Sequence, residues 1–235
     1  MRTLPIRLER AEWIAFAAVL LLALVALFPL ALALPMLGSD AISARAARGS
    51  VWGGRLEDAA VGPFRLGTVA TRLQLAPLLT GRARVDLAGR AGSGGISTSP
   101  ARSGADDVTA ILEPAEPVAG LPIDRVAFED FSFAFSRERC VRGEGRVRIT
   151  FAGPVGGLSL GQGLGGVARC EGAELVLPLV GQSGMEALTL RVTGDGRYRG
   201  RLTVRAVDSA LAQGLAAAGF RPAGEGVARA FAGRL

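Results

Sequence analysis

Short runs in which apolar and polar residues alternate dominate the chain beyond about residue 60. Val69, Thr71, Leu73 and Leu75 alternate with Ala70, Arg72 and Gln74. After a break at Pro77–Gly81, Ala83, Val85 and Leu87 alternate with Arg84 and Asp86. Phe131, Phe133 and Phe135 alternate with Ser132, Ala134 and Ser136. Val147, Ile149 and Phe151 repeat the pattern, as do Leu175, Leu177 and Leu179. Leu188, Leu190 and Val192 lead into Gly194-Asp195-Gly196, and Tyr198, Gly200, Leu202 and Val204 lead out of it. Asp-Gly supplies the positive φ angles of a tight turn, so this is a hairpin. A period of two with one apolar face predicts antiparallel strands covered on one side. It buries the three Phe and leaves Ser132 and Ser136 wet, so Ser→Ala there should be nearly silent. A helix is predicted over 208–218: Asp208 can cap it, Leu211 and Leu215 share a face, and Gly219 ends it. A second helical turn is predicted within 226–232. The stretch 88–117, with AGRAGSGG, Asp106-Asp107 and two Glu-Pro steps, predicts loops with at most one or two short strands.

The N-terminus has a different pattern. Trp13 to Leu34 reads WIAFAAVLLLALVALFPLALAL, uncharged throughout. A helix needs about twenty residues to cross the hydrocarbon core, so this run predicts a transmembrane helix with Trp13 and Leu34 as its limits. Pro29 lies near its far end, where a kink is tolerated. Arg2, Arg7 and Arg10 precede it and place the tail, residues 1–12, in the cytoplasm. The rest, 35–235, is then one exported domain. A cleaved signal peptide is the alternative, since Ala31-Leu32-Ala33 resembles a small-x-small site, but a signal h-region is shorter than this run. The expected fold is mainly β: an antiparallel sheet domain preceded by one N-terminal transmembrane helix, with a short C-terminal helix.

Composition changes the picture by exclusion. The formal net charge is +6 and the sequence pI about 10.9, with 27 basic residues, all of them Arg. A GC-rich genome explains Arg without Lys. The Arg residues are scattered, with few aromatics between them and no basic arm, so nucleic acid is not an expected partner. The chain has no His, which excludes a Ser-His-Asp triad, a Cys-His pair and a His-ligated zinc site. Two Cys exclude a four-Cys metal site. Cys140 and Cys170, each preceded by Arg and followed by a Gly-rich stretch read as a turn, are expected to form one disulfide in an exported domain. The alternative, a redox-active pair, normally has Cys-x-x-Cys spacing.

Other motifs lose to simpler readings. Gly161, Gly163 and Gly166 satisfy G-x-G-x-x-G, but Val167-Ala168-Arg169-Cys170 continues as a strand, and Glu186 belongs to another. Asp106-Asp107 and Glu129-Asp130 are adjacent carboxylates, which a regular strand would point to opposite faces. No nucleophile has a base beside it. The expectation is no catalytic residue, no cofactor, no metal and no small-molecule substrate.

Two blocks carry a family resemblance. The first runs Gly49-Ser50-Val51-Trp52-Gly53-Gly54-Arg55 through Gly67-Thr68-Val69 to Ala76-Pro77-Leu78-Leu79-Thr80-Gly81-Arg82. The second starts at Cys140 with C-V-R-G-E-G-R-V and continues through Arg169-Cys170-Glu171-Gly172 to LVLPLVGQSG, the DGRYRG hairpin and Gly219-Phe220. With its N-terminal span, the chain resembles the type II secretion system protein N (GspN) family. It departs at Ala70 and Thr71, where such proteins often carry an aromatic. The resemblance implies a non-enzymatic protein of the Gram-negative inner membrane, with its bulk in the periplasm. Its implied partners are components of the secretion system's inner-membrane platform or its secretin. AsmA-like envelope proteins share the first block and the span but not usually the two Cys. They suggest an alternative, lipid held on an open sheet face. Val51 and Trp52, early in the domain, are the candidate partner contacts, although the core reading of Trp52 outweighs the contact reading.

Overall fold

The computed structural model describes residues 10–32, 42–118, 120–205 and 208–234. Helix α1, Arg10–Ala26, contains 17 residues and is about 25 Å long at 1.5 Å per residue. No helix among the described residues is long and apolar enough to cross a membrane. The helix stops short of the apolar run that predicts it. The Phe28 carbonyl is taken by the Val51 N–H at 3.0 Å, and Pro29 bridges to Ser50. Tail residues 1–9, and Ala33 and Leu34 at the end of the run, lie outside the described residues.

The remainder is dominated by one antiparallel sheet. Its first half contains β1 (Ile42–Ser43), β2 (Ala46–Ser50), β3 (Gly53–Val61), β4 (Phe64–Leu73), β5 (Ala83–Gly89), β6 (Gly92–Ser99), β7 (Arg102–Pro114) and β8 (Ile123–Ser136). Its second half contains β9 (Arg139–Phe151), β10 (Leu164–Val167), β11 (Arg169–Glu171), β12 (Glu174–Gly181), β13 (Glu186–Val192), β14 (Arg197–Arg205), β15 (Arg221–Ala223) and β16 (Gly226–Arg234). The spatial order is β1-β3-β4-β5-β6-β7-β8-β9-β10-β12-β13-β14-β16-β15, with β2 on β3 and β11 on β12. Consecutive strands are neighbours almost throughout, as hairpin connections dictate. Two short helices interrupt the series, α2 (Leu75–Leu78) and α3 (Ser209–Ala217). Asp208 caps α3 as expected: its Oδ1 accepts from the Leu211 N–H at 2.7 Å.

The stretch 88–117 is not loop. It contains β6 and the whole of β7, which is 13 residues long. Likewise 226–232 is strand β16, not a helical turn. Cys140 likewise opens β9 rather than a turn.

The apolar face of β8 and of the sheet's second half is closed. Phe131, Phe135, Val147, Leu164, Leu177, Leu179, Leu188 and Leu202 are buried in one cluster. Leu121, Val155 and Leu160 from connecting loops, with Leu215 of α3 and Phe220, cover it. A smaller cluster of Leu30, Leu56, Ala59 and Val69 sits under the N-terminal strands.

Several register shifts break the alternation, and three of these bulges share a feature. Between Leu56 and Ala59, Ala105 and Val108, and Glu129 and Ser132, one strand carries an extra residue relative to its partner. Each holds an Asp at positive φ: Asp58 (50°), Asp107 (54°) and Asp130 (48°). Asp tolerates this conformation better than most residues. The bulge at Asp107 corrects the expectation for Ser132. That side chain is only 1 % exposed, and its Oγ accepts from the Asp107 N–H at 2.9 Å. Ser132→Ala removes this hydrogen bond from a part-buried donor, so an unfolding titration should show a loss of about 1 kcal/mol rather than silence.

Candidate functional site

Val51 and Trp52 form the turn between β2 and β3, and both are half-buried. Val51 is held from both sides: its N–H donates to Phe28, and its carbonyl accepts from the Leu73 N–H at 3.1 Å. Leu30 then enters the small cluster directly over Gly54. A Cβ on Gly54 would lie 2.6 Å from Leu30 Cδ2 and 2.9 Å from the Arg48 carbonyl oxygen. Gly49 at the start of the turn has φ 88°. The block Gly49–Arg55 is therefore where the segment following α1 is fastened to the sheet.

Cys140 on β9 and Cys170 on β11 are bonded to one another, with Cα atoms 5.5 Å apart. In β9, Gly143 permits the approach. A Cβ there would lie 2.7 Å from Leu175 Cδ1 and 3.1 Å from the Cys170 nitrogen. Strand β11 has three residues paired to β12, so the bridge is its covalent tie to β9.

The outer face of β5–β9 carries a ladder of charges. Arg84 donates from Nε to Asp86 at 3.0 Å, and its two Nη atoms each lie 3.7 Å from a carboxylate, those of Asp106 and Asp107. The bulge brings both of these Asp residues to one guanidinium, correcting the expectation that they point apart. Arg142 Nη1 donates to Asp106 at 3.0 Å, and Ser97 Oγ donates to the same carboxylate at 3.0 Å. Burial opposes the charge of Asp86. Hydrogen bonds from Gln74 and Arg84, with the positive charges of Arg84 and Arg72, outweigh it and hold the carboxyl below its usual range. Each carboxylate here shares an oxygen with a guanidinium, the geometry of a structural ladder rather than of an acid–base pair.

Towards the C-terminus lie two Arg-rich hollows. One, about 670 Å³, is open and lined by Thr189, Arg191, Arg199, Arg201, Ala230 and Ala232 among others. The other, about 520 Å³, lies between the Arg137-Glu138 turn and the Gly194-Asp195 hairpin. Gly163 and Gly166 shape a loop and a strand rather than a nucleotide cradle: a Cβ on Gly166 would collide with the Pro178 carbonyl oxygen. Among the described residues, no group of three or more His, Cys, Asp or Glu is placed to hold a metal ion.

Comparison with known families decides the assignment. The family model described as type II secretion system (T2SS), protein N, matches residues 40–230. The chain belongs to the type II secretion system protein N family. The match takes in nearly the whole sheet, the Val51-Trp52 turn and both cysteines, and begins after α1. As a member of this family the protein is a type II secretion component of the cell envelope. Among the curated proteins and among the solved structures, none matches the chain. What sequence reasoning missed is the outer-face ladder and the C-terminal hollows. The strand pattern marks Arg84, Arg142, Arg199 and Arg201 as outward-facing, but which Arg meet which carboxylates depends on register and bulges.

Proposed function

We propose that this protein is a non-enzymatic, single-span inner-membrane component of a type II secretion system, and that it supports export of folded proteins by binding other components. The observation that carries the reading is the family match over residues 40–230. Residues 1–12 form a cytoplasmic tail, residues 13–34 the span and residues 35–235 the periplasmic domain. In support, Trp13, Ile14, Phe16, Val19, Leu22 and Leu24 of α1 are all exposed, an apolar surface that lipid would cover. A disulfide suits an oxidising compartment. Val51 and Trp52, fastened to the segment leaving α1, are the proposed contact with the inner-membrane platform or the secretin. The alternative of lipid held on an open sheet has less support, because side chains fill the apolar face of the second half.

The test is cross-linking in intact cells followed by isolation of the full-length protein from membranes. Secretion-system components should be recovered with it, and a periplasm-only reporter fused after Leu235 should be active. Isolation without those components, or as a soluble form starting near Leu34, contradicts the proposal.

A further inference from the structure

The two edges of the sheet end differently. At the N-terminal edge, β3 is covered along most of its length by β1 and β2. At the C-terminal edge, β16 pairs with β14 over all nine residues, but β15 covers only Gly226, Val227 and Ala228. Among the described residues, nothing pairs with the outer side of Ala230–Arg234. Pro222 has no N–H and stands opposite Val227, which marks that pair as one without hydrogen bonds. Alternation then points the backbone groups of Ala230, Ala232 and Arg234 outward. On its other face the strand packs aromatic rings against glycines. A Cβ on Gly200 would collide with the Phe231 ring, and one on Gly233 would lie 2.6 Å from the Tyr198 hydroxyl.

Charge says what would pair there. Arg197, Arg199 and Arg201 alternate along β14 on the face that Ala230, Ala232 and Arg234 share on β16. Arg199 is paired with Glu174 and Arg197 with Asp195, but Arg201 and Arg234 make no ion pair among the described residues. Ala230 and Ala232, both exposed, leave the hollow above β16 empty. An incoming strand would lie about 9–10 Å from β14, two strand spacings away. Its carboxylates would meet the guanidinium groups of β14 over the two alanines. A second copy fits poorly, because it would bring the same Arg rows together.

We infer that the free edge of β16, Ala230–Arg234, takes an acidic extended segment of another protein as an added strand. Backbone hydrogen bonds supply the pairing and Arg201 and Arg234 supply the selectivity. The inference rests on the proposed reading that this protein works by binding other components. Its test reads the edge alone and is independent of any secretion assay.

The probe is a labelled ten-residue peptide with Asp at alternate positions between Thr and Val, beside the same peptide with Lys for Asp. Binding to the full-length protein in detergent is followed by fluorescence anisotropy, and exchange of the β16 amides by mass spectrometry. The acidic peptide should bind and slow exchange over Ala230–Arg234, whereas the Lys peptide should not. Ala232→Pro, which removes an outward N–H, should weaken binding by about tenfold. Arg201→Glu, at an exposed position, should weaken it too and restore binding of the Lys peptide. Equal binding of both peptides, or binding indifferent to both substitutions, overturns the inference. So does a concentration-dependent dimer of the full chain that Ala232→Pro abolishes, since the occupant would then be a second copy.

Discussion

Replacing Phe131 with Ala will lower the stability of the sheet domain by about 3–5 kcal/mol, the range for removing a large buried aromatic. Phe131 is 6 % exposed and lies between Phe128 and Phe133, with ring centroids at 5.1 and 5.7 Å. It faces Val108 across the bulge at Asp107. Truncation opens a void in the cluster where the central strands meet, and the long β8–β9 hairpin cannot collapse into it without losing register. Phe133 is only partly buried and should cost less. Ser136→Ala, at the open end of the same strand, should stay within about 0.5 kcal/mol. Denaturant unfolding of the full-length protein in detergent measures all three. Equal tolerance at Phe131 and Ser136 would show that β8 does not present its aromatic side to the core.

Reducing the disulfide, or replacing Cys140 or Cys170 with Ser, should cost about 3–4 kcal/mol on the chain-entropy account of a thirty-residue loop. The bonded pair is separated by 30 positions. The loss has a local consequence as well. Strand β11 has only three residues, and its ladder to β12 runs through Arg169↔Val176, Cys170↔Leu175 and Glu171↔Glu174. Without the bridge, β11 keeps that ladder and a contact from the Ala168 N–H to the Gly145 carbonyl at 3.0 Å. Hydrogen exchange should therefore rise first around residues 168–172. Intact-mass measurement with and without reductant should differ by two hydrogens. Free thiols in protein taken from the envelope would contradict the bridge.

The strands from 131 to 204 and helix α3 are legible in the sequence because period two and an Asp cap are local signals. Strands β6 and β7 are not, for three physical reasons. Gly94 and Gly95 stand where an apolar strand would carry side chains, because Val108 and the Arg84 guanidinium occupy the space. The bulge at Asp107 shifts the apolar parity of β7 part-way along. Asp107, one of the adjacent carboxylates, is itself the bulge, since it supplies positive φ inside a strand. Strand β16 reads as helix because Ala-rich GVARAFAGR has helical propensity, and its pairing to β14 overrides that propensity. The family blocks are legible as residues but not as roles. Only the structure shows that Gly54 in the first block makes room for Leu30. The apolar run is legible as hydrophobic, yet the helix ends at Ala26, where the chain turns to hydrogen-bond Val51.

The central claim is that this protein acts in secretion and does so by binding. The most direct measurement deletes its gene and assays folded exoproteins separately in the medium and in the periplasm. The outer-membrane lipid composition is measured in the same cells. The account predicts exoproteins trapped in the periplasm, restored by the full-length protein and left uncorrected by a form lacking residues 1–34, with lipid composition unchanged. Normal secretion alongside an altered outer-membrane lipid composition would contradict it.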